Sequence, residues 1–179
     1  TNIINFSLAW LISFAKSKGL EMDAVLCGSG VSGQADVLAG QGASTVYLGD
    51  DSSLEIYNTE QYTSLVTDAL QQSGATQVWL SSSELGRDLT PRVAARQGVG
   101  ALSDVTQFEV NGDEITAQRP CMSTKVIQKC KFSKDGLRVI SIRSGFFAPE
   151  ETSPVPAKTV SLSIPEGHKQ LKVKEVQAE

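Results

Sequence analysis

A chain of 179 residues that is 40% hydrophobic and 20% charged has the apolar content for one globular domain with a sizeable core. Its net charge of -4 and pI near 5.1 exclude the basic face that a nucleic-acid binder presents, and assign the acidic balance to solubility. Three cysteines, Cys27, Cys121 and Cys130, are few and odd in number, so free thiols in a reduced compartment are expected rather than a disulfide framework. No pair has metal-ligand spacing, and the single histidine, His168, sits in a polar tail far from them.

In chain order, the first expected element is a helix around the apolar run Leu8–Ile12. Asn5 or Ser7 can cap it, and Lys16, Lys18 and Gly19 close it. The run falls short of the ~20 apolar residues of a membrane span. It also lacks the basic leader and small-residue cleavage site of a signal peptide, so no membrane insertion is expected. The chain opens on Thr1 rather than Met, as a processed or partial chain does.

A strand is expected over Asp23–Cys27, running into Cys27-Gly28-Ser29-Gly30-Val31-Ser32-Gly33. This turn has the G-x-G-x-x-G form, with Asp50 and Asp51 about 20 residues on. Such a layout belongs to dinucleotide-binding turns, where glycines admit a pyrophosphate and the acid holds the ribose; it also belongs to plain strand-to-helix turns. A short helix at Ala35–Gly40, a strand at Thr45–Leu48, a helix at Glu60–Gln72 and a strand at Gln77–Leu80 follow. In the longer helix Tyr62, Leu65, Val66, Ala69 and Leu70 line one face. The alternation implies crossover connections and a mostly parallel sheet with helices on both faces.

Thr90 before Pro91 reads as a helix start, with Arg92 and Arg96 on one face, Val93 and Ala94 toward the sheet, and Gly98 at the end. A helix N-terminus there, with Arg87 beside it, can hold an anion; a solvated arginine face is the other reading. Val105–Val110 and Glu114–Gln118 flank the hairpin signal Asn111-Gly112-Asp113. Strands at Lys125–Phe132 and Leu137–Ile142 are expected around a turn at Lys134-Asp135-Gly136, which completes a small antiparallel addition. "APEETSPVPAK" (148–158) reads as a linker, with further strands at Val160–Ile164 and Leu171–Val176. Ser81-Ser82-Ser83 beside Glu84 has no neighbouring histidine to act as base, so no serine nucleophile is assigned. Cys27 is a buried thiol unless a helix N-terminus activates it. No residue is given a catalytic, cofactor-binding or metal-binding role.

Three stretches, "GRDLTPRVAARQGVGALSDV" (86–105), "RPCMSTKV" (119–126) and "VISIRSGFF" (139–147), resemble the electron transfer flavoprotein alpha subunit in order and spacing. That family has G-(K/R)-(N/D)-L-x-P-R-V-A-A leading to S-D-(V/I), then R-P-I-x-A-G-N-A, then V-x-(S/T)-(V/I)-R-x-x-x-F. The similarity covers about residues 20–150. Ser123-Thr124-Lys125 departs from it, standing where the family has small residues and Asn.

The resemblance implies a Rossmann-like, adenine nucleotide alpha hydrolase-like α/β domain over residues 1–148, with 149–179 as linker and terminal strands leading toward an absent flavin domain. It implies FAD in the full-length heterodimer, held mainly by that C-terminal domain, so that this chain alone is not expected to bind it. An AMP or second FAD would belong to the beta subunit. The glycine stretch then becomes a structural turn, with Asp50 and Asp51 capping the following loop. The implied partners are the electron transfer flavoprotein beta subunit and, through the complex, dehydrogenases and an acceptor oxidoreductase. The implied role is an electron-carrier subunit domain, not an enzyme, in a bacterial cytoplasm or mitochondrial matrix. The alternatives are a free-standing adenine-nucleotide-binding domain and, last, a dinucleotide-dependent oxidoreductase. The family's opening strand, ahead of the first helix, has only Thr1–Ile4 to stand for it. Arg143, at the end of a strand, is expected to anchor the chain's exit on backbone carbonyls or on Asp104; a plain surface arginine is the other reading.

Overall fold

The structure, a computed structural model, describes residues 6–17, 19–111, 114–132, 136–145, 152–166 and 174–175. Helix α1 (Phe6–Ser17) leads to strand β1 (Ala24–Gly28), helix α2 (Ala35–Gln41), strand β2 (Val46–Asp50), helix α3 (Thr59–Ser73), strand β3 (Gln77–Ser81) and helix α4 (Glu84–Arg96). Strand β4 (Ala101–Val105), the antiparallel set β5 (Gln107–Asn111), β6 (Glu114–Cys121) and β7 (Val126–Lys131), and strands β8 (Arg138–Ile142) and β9 (Thr159–Ser161) complete it.

Local chemistry sets the helix ends. The Asn58 side chain accepts from the free amides of Glu60 and Gln61 at the start of α3, and left-handed Gly74 closes it by donating to the Leu70 carbonyl. Between those caps Tyr62, Leu65, Val66 and Ala69 turn one buried face to the sheet, as the apolar spacing requires. Gly19, with φ +69°, ends the turn after α1, its amide bonding to the Lys16 carbonyl.

The parallel strands form two three-stranded sheets in the orders β9-β2-β1 and β3-β8-β4, and β5-β6-β7 form an antiparallel sheet. Helices α3 and α4 cover one face of both parallel sheets through a shared core of Cys27, Tyr47, Leu65, Leu89, Val93 and Val139. Helix α1 spans both sheets on the other face. Its Leu11 and Phe14 pack with Ile140, Ile142 and Phe108, and its Ile12 packs with Leu26 and the Leu38 side chain of α2. Among the described residues, β1 and β3 belong to separate sheets, and an apolar cleft of about 440 Å³ lies between them.

Two expectations are corrected here. Leu137–Ile142 does not fold back on Lys125–Phe132 as a hairpin: β7 pairs with β6, whereas β8 runs parallel between β3 and β4. The reason lies in its side chains. Val139, Ile140, Ser141 and Ile142 are all buried, so both faces of the strand are covered, as an interior strand of a parallel sheet demands. The strand expected over Val105–Val110 is in fact two. β4 ends at Val105 in the parallel sheet, and the chain enters the antiparallel sheet at Gln107.

The 152–158 stretch has no regular structure but is tied to α2. The amides of Val155 and Ala157 donate to the backbone and side chain of Asp36, and Gly40 leaves room for the Ser153 carbonyl, which a Cβ would overlap. Strand β9 then joins β2 in parallel, supplying the pairing partner for the strand expected from Val160. Thr1–Ile4, His168, the central residues of both predicted turns and most of Leu171–Val176 lie outside the described residues.

Candidate functional site

In open parallel α/β sheets ligands gather outside the carboxyl ends of the strands, so β3, β8 and β4 and the start of α4 are the place to look. The helix start is the first correction. Thr90 is not a cap: α4 begins at Glu84, and the Ser83 side chain accepts from the Gly86 amide at 3.3 Å. Pro91 lies inside the helix and Thr90 is fully buried, its hydroxyl donating to the Gly86 carbonyl one turn back. Because Pro91 has no N–H, it leaves the Arg87 carbonyl without an i+4 donor, and a helix tolerates this only with support from its surroundings.

Several residues of the motif starting at Gly86 have structural tasks. Gly86 lies against the end of β3, where a Cβ would overlap the Ser81 carbonyl oxygen. Leu89, Val93 and Ala94 are buried in the core under the sheet. Asp88 accepts from the Tyr57 hydroxyl at 2.8 Å and faces Arg92 at 3.7 Å across one turn, both side chains about half exposed. The arginines of α4 therefore form a solvated face. The three serines at the end of β3 are likewise structural: Ser81 donates to Ser83 at 3.0 Å, Ser83 caps the helix, and Ser82 donates to Ser141 at 3.0 Å.

The end of the first motif meets the third across the strand ends. Asp104 adopts φ +63° at a break in the β4–β8 register, a left-handed conformation that Asp tolerates better than most residues. This turns its carboxylate onto Arg143, just past β8. The guanidinium Nε donates to Oδ1 at 2.9 Å, and Nη2 bonds to Oδ2, a two-point pairing that lysine cannot reproduce. The buried Ser141 hydroxyl accepts from the Asp104 amide at 3.0 Å, and the Arg143 amide donates to the Val105 carbonyl. The bond from Arg143 holds the Asp104 carboxyl below the usual carboxylate range against a burial effect that raises it; the charges of Arg143, Arg87 and Arg119 assist. Arg143 thus takes the expected partner, and the Ser82–Ser141–Asp104–Arg143 chain fastens β3, β8 and β4 at one end.

The glycine turn after β1 carries its own anion. The Asp50 carboxylate accepts from the Gly30 amide at 2.6 Å and the Ser32 amide at 3.0 Å, the donors that a bound pyrophosphate would require. Burial raises the Asp50 pKa, but the bonds from Ser32, Val31 and Gly30 outweigh it and leave it below the usual value. The expectation that Asp50 caps the loop after it is therefore corrected: Asp50 reaches back to the turn, and only Asp51 caps forward, accepting from the Ser53 amide at 2.8 Å. Gly33, third of the pattern, has open space around it rather than a close-packed neighbour. In this structure two of the turn's amides are taken by the chain's own carboxylate.

Cys27 is fully buried, and burial pushes its thiol up to about 12, opposed by a backbone bond from Gly49, so it is not an activated nucleophile. Among the described residues there is no cluster of His, Cys, Asp and Glu able to hold a metal, no disulfide, and no helix long and apolar enough to cross a membrane. The 440 Å³ cleft lies between β1 and β3 and reaches Ser83 and Gly86 past the end of β3; its walls are mostly apolar.

The family model for the electron transfer flavoprotein domain matches residues 11–178. Among curated proteins, the chain is 30% identical over 153 residues to Protein FixB of Clostridium saccharobutylicum, covering 84% of this chain and 45% of that protein. It is 30% identical over 142 residues to the electron transfer flavoprotein subunit alpha of Megasphaera elsdenii, covering 78% and 42%. It is 26% identical over 132 residues to the acryloyl-CoA reductase electron transfer subunit beta of Anaerotignum propionicum, covering 74% and 36%. The chain spans less than half the length of these relatives. With an α/β fold of parallel sheets flanked by helices and a small antiparallel sheet, the chain belongs to the electron transfer flavoprotein family.

Proposed function

We propose that this chain is the N-terminal domain of an alpha-type electron transfer flavoprotein subunit and serves as a scaffold. It holds a beta-type subunit and braces a flavin domain, while FAD carried elsewhere in the heterodimer passes electrons from dehydrogenases to an acceptor. The observation that carries the reading is the glycine turn closed by Asp50: the residues best placed to hold a dinucleotide are already bonded within the chain. The serines at the end of β3 are engaged in structure and Cys27 is buried, which supports reading the chain as a non-enzymatic carrier-subunit domain. Its free thiols suit a reducing compartment such as a bacterial cytoplasm or a mitochondrial matrix.

The antiparallel sheet supplies a surface for the beta-type subunit. Its strand β7, at the edge of the sheet among the described residues, exposes Val126 and Ile127, and Met122 in the turn before it is 78% exposed. A pull-down with the cognate beta-type subunit at low salt tests the reading. A stable complex, weakened by Ile127→Lys, is expected. No complex, with a full-length alpha-type chain binding in parallel, overturns it. Calorimetric titration with AMP, ATP, NAD and FAD addresses the competing nucleotide-binding role: binding tighter than about millimolar to any of them would revive that role.

A further inference from the structure

The three stretches that resemble the family each place an arginine at the same end of the parallel layer. Arg143 stands just past β8 and is paired with Asp104 near the end of β4. Arg87 lies in α4, one turn after Ser83, whose neighbour Ser82 is joined through Ser141 to Asp104. Arg119 lies on β6 next to Gln118, and the Gln118 carbonyl accepts from the amide of Thr106, two residues past Asp104. All three guanidinium charges act on the one Asp104 carboxylate. That carboxylate answers Arg143, and among the described residues neither Arg87 nor Arg119 forms a salt bridge. Two positive charges are thus left over at one spot, in a chain whose formal net charge is -4.

Arg119 is half-buried, and its Nε is shut off from water with no acceptor. A partly desolvated charge gains more from an opposite charge than a hydrated one does, because its surroundings screen less. The cluster also runs on into the exposed hairpin tip. Arg119 opposes Gln128 and Cys121 opposes Val126, so Arg119 and the exposed Val126 stand on one face. Arginines beside an exposed apolar group have the make-up of a protein interface, where a small anion would use the arginines alone. We propose that Arg87 and Arg119 receive a pair of acidic side chains from the beta-type subunit, an inference that rests on the scaffold role proposed above. The chain's net charge repels an acidic partner; these two arginines steer it to this face, and set orientation and association rate more than bulk affinity.

The test measures the association rate of the full chain with the cognate beta-type subunit by stopped-flow fluorescence, from about 25 to about 500 mM NaCl. Arg87→Gln and Arg119→Gln should each slow association at least about threefold at the lowest salt, and the double variant at least about tenfold. All should meet the parent at the highest salt. Arg87→Lys keeps the charge and should stay near the parent. Arg92→Gln removes a guanidinium that already faces Asp88, and should do the same. Arg87 is exposed, so its variants read the effect even if Arg119→Gln fails to fold. A complex that forms with Arg87→Gln as fast as with the parent, or a slowing that high salt does not remove, overturns this inference and leaves the scaffold role standing. No complex with the parent, while a full-length alpha-type chain binds, overturns the scaffold role and the inference with it. Phosphate that slows association about tenfold more than chloride at equal ionic strength assigns the arginines to a small oxyanion. Self-association in sedimentation that Arg87→Gln abolishes assigns them to a second copy. Either result overturns the proposal.

Discussion

Gly86→Ala tests how closely α4 is seated on β3. In an unconstrained helix the substitution is favourable by about 1 kcal/mol, because alanine loses less backbone freedom than glycine. Here the new Cβ would overlap the Ser81 carbonyl oxygen and stand 3.0 Å from its carbon, with the Ser83 hydroxyl at 3.5 Å. The obstruction is backbone at the end of a strand, so no side chain can swing aside and α4 must retreat by about an ångström or more. Overpacking of this kind costs about 1–3 kcal/mol and occasionally more. The retreat also pulls the Gly86 amide from the Ser83 cap, worth about 1 kcal/mol, and loosens Leu89, Val93 and Ala94 in the core. Set against the propensity gain, the net is a loss of about 1–3 kcal/mol, or roughly 2–12 °C in Tm for a chain of this size. Urea titration followed by far-UV circular dichroism, with the m-value checked for constancy, measures it. Gly33→Ala is the internal control, because its Cβ meets nothing and the residue does not need a positive φ; it should be neutral or gain up to about 1 kcal/mol. A Gly86→Ala protein as stable as the parent would refute the close helix–strand contact and with it the structural account of the motif.

Further outcomes are expected at the strand ends and the glycine turn. Asp104 has a depressed pKa in the fold, so its contribution is present above its unfolded value of about 3.9 and is lost as pH falls through the lower folded value. The urea midpoint of Asp104→Asn should therefore lie below that of the parent at pH 7 and converge with it in strong acid; an unchanged gap across that range would remove the ion pair from the account. Arg143→Lys should show the same acid convergence with a smaller loss at pH 7, and no loss at all would return Arg143 to a plain surface residue. Asp50→Ala frees the amides of Gly30 and Ser32 to water at a cost of about 1 kcal/mol, read by the same titration; a gain in stability would mean that the carboxylate strains the turn. Native protein treated with a thiol reagent near pH 8 should modify Cys27 last, only on unfolding, because its thiol is buried and pushed up to about 12; early labelling located at Cys27 by peptide mapping would contradict its burial.

Much of this protein is local enough to be legible along the chain. The helix over residues 59–73 follows from the spacing of Tyr62, Leu65, Val66 and Ala69 between Asn58 and Gly74, and the parallel class follows from strands alternating with helices. Three motifs place the chain in its family, and Arg143 could be matched to Asp104 because the sequence puts one just past a strand and the other at a strand's end. What the sequence left open depends on contacts between residues far apart. Thr90-Pro91 has the form of a helix start, but the true cap is Ser83, because Gly86 lets α4 begin directly against the end of β3. The glycine turn has the form of a nucleotide site until Asp50, from the adjacent strand, occupies its amides. Leu137–Ile142 is a strand by composition, yet its place between β3 and β4 depends on having apolar layers on both sides, and no short window contains those layers. Sequence determined the elements and the family, since both are written in local spacing. Tertiary structure alone decided which amides are already bonded and which faces are doubly covered.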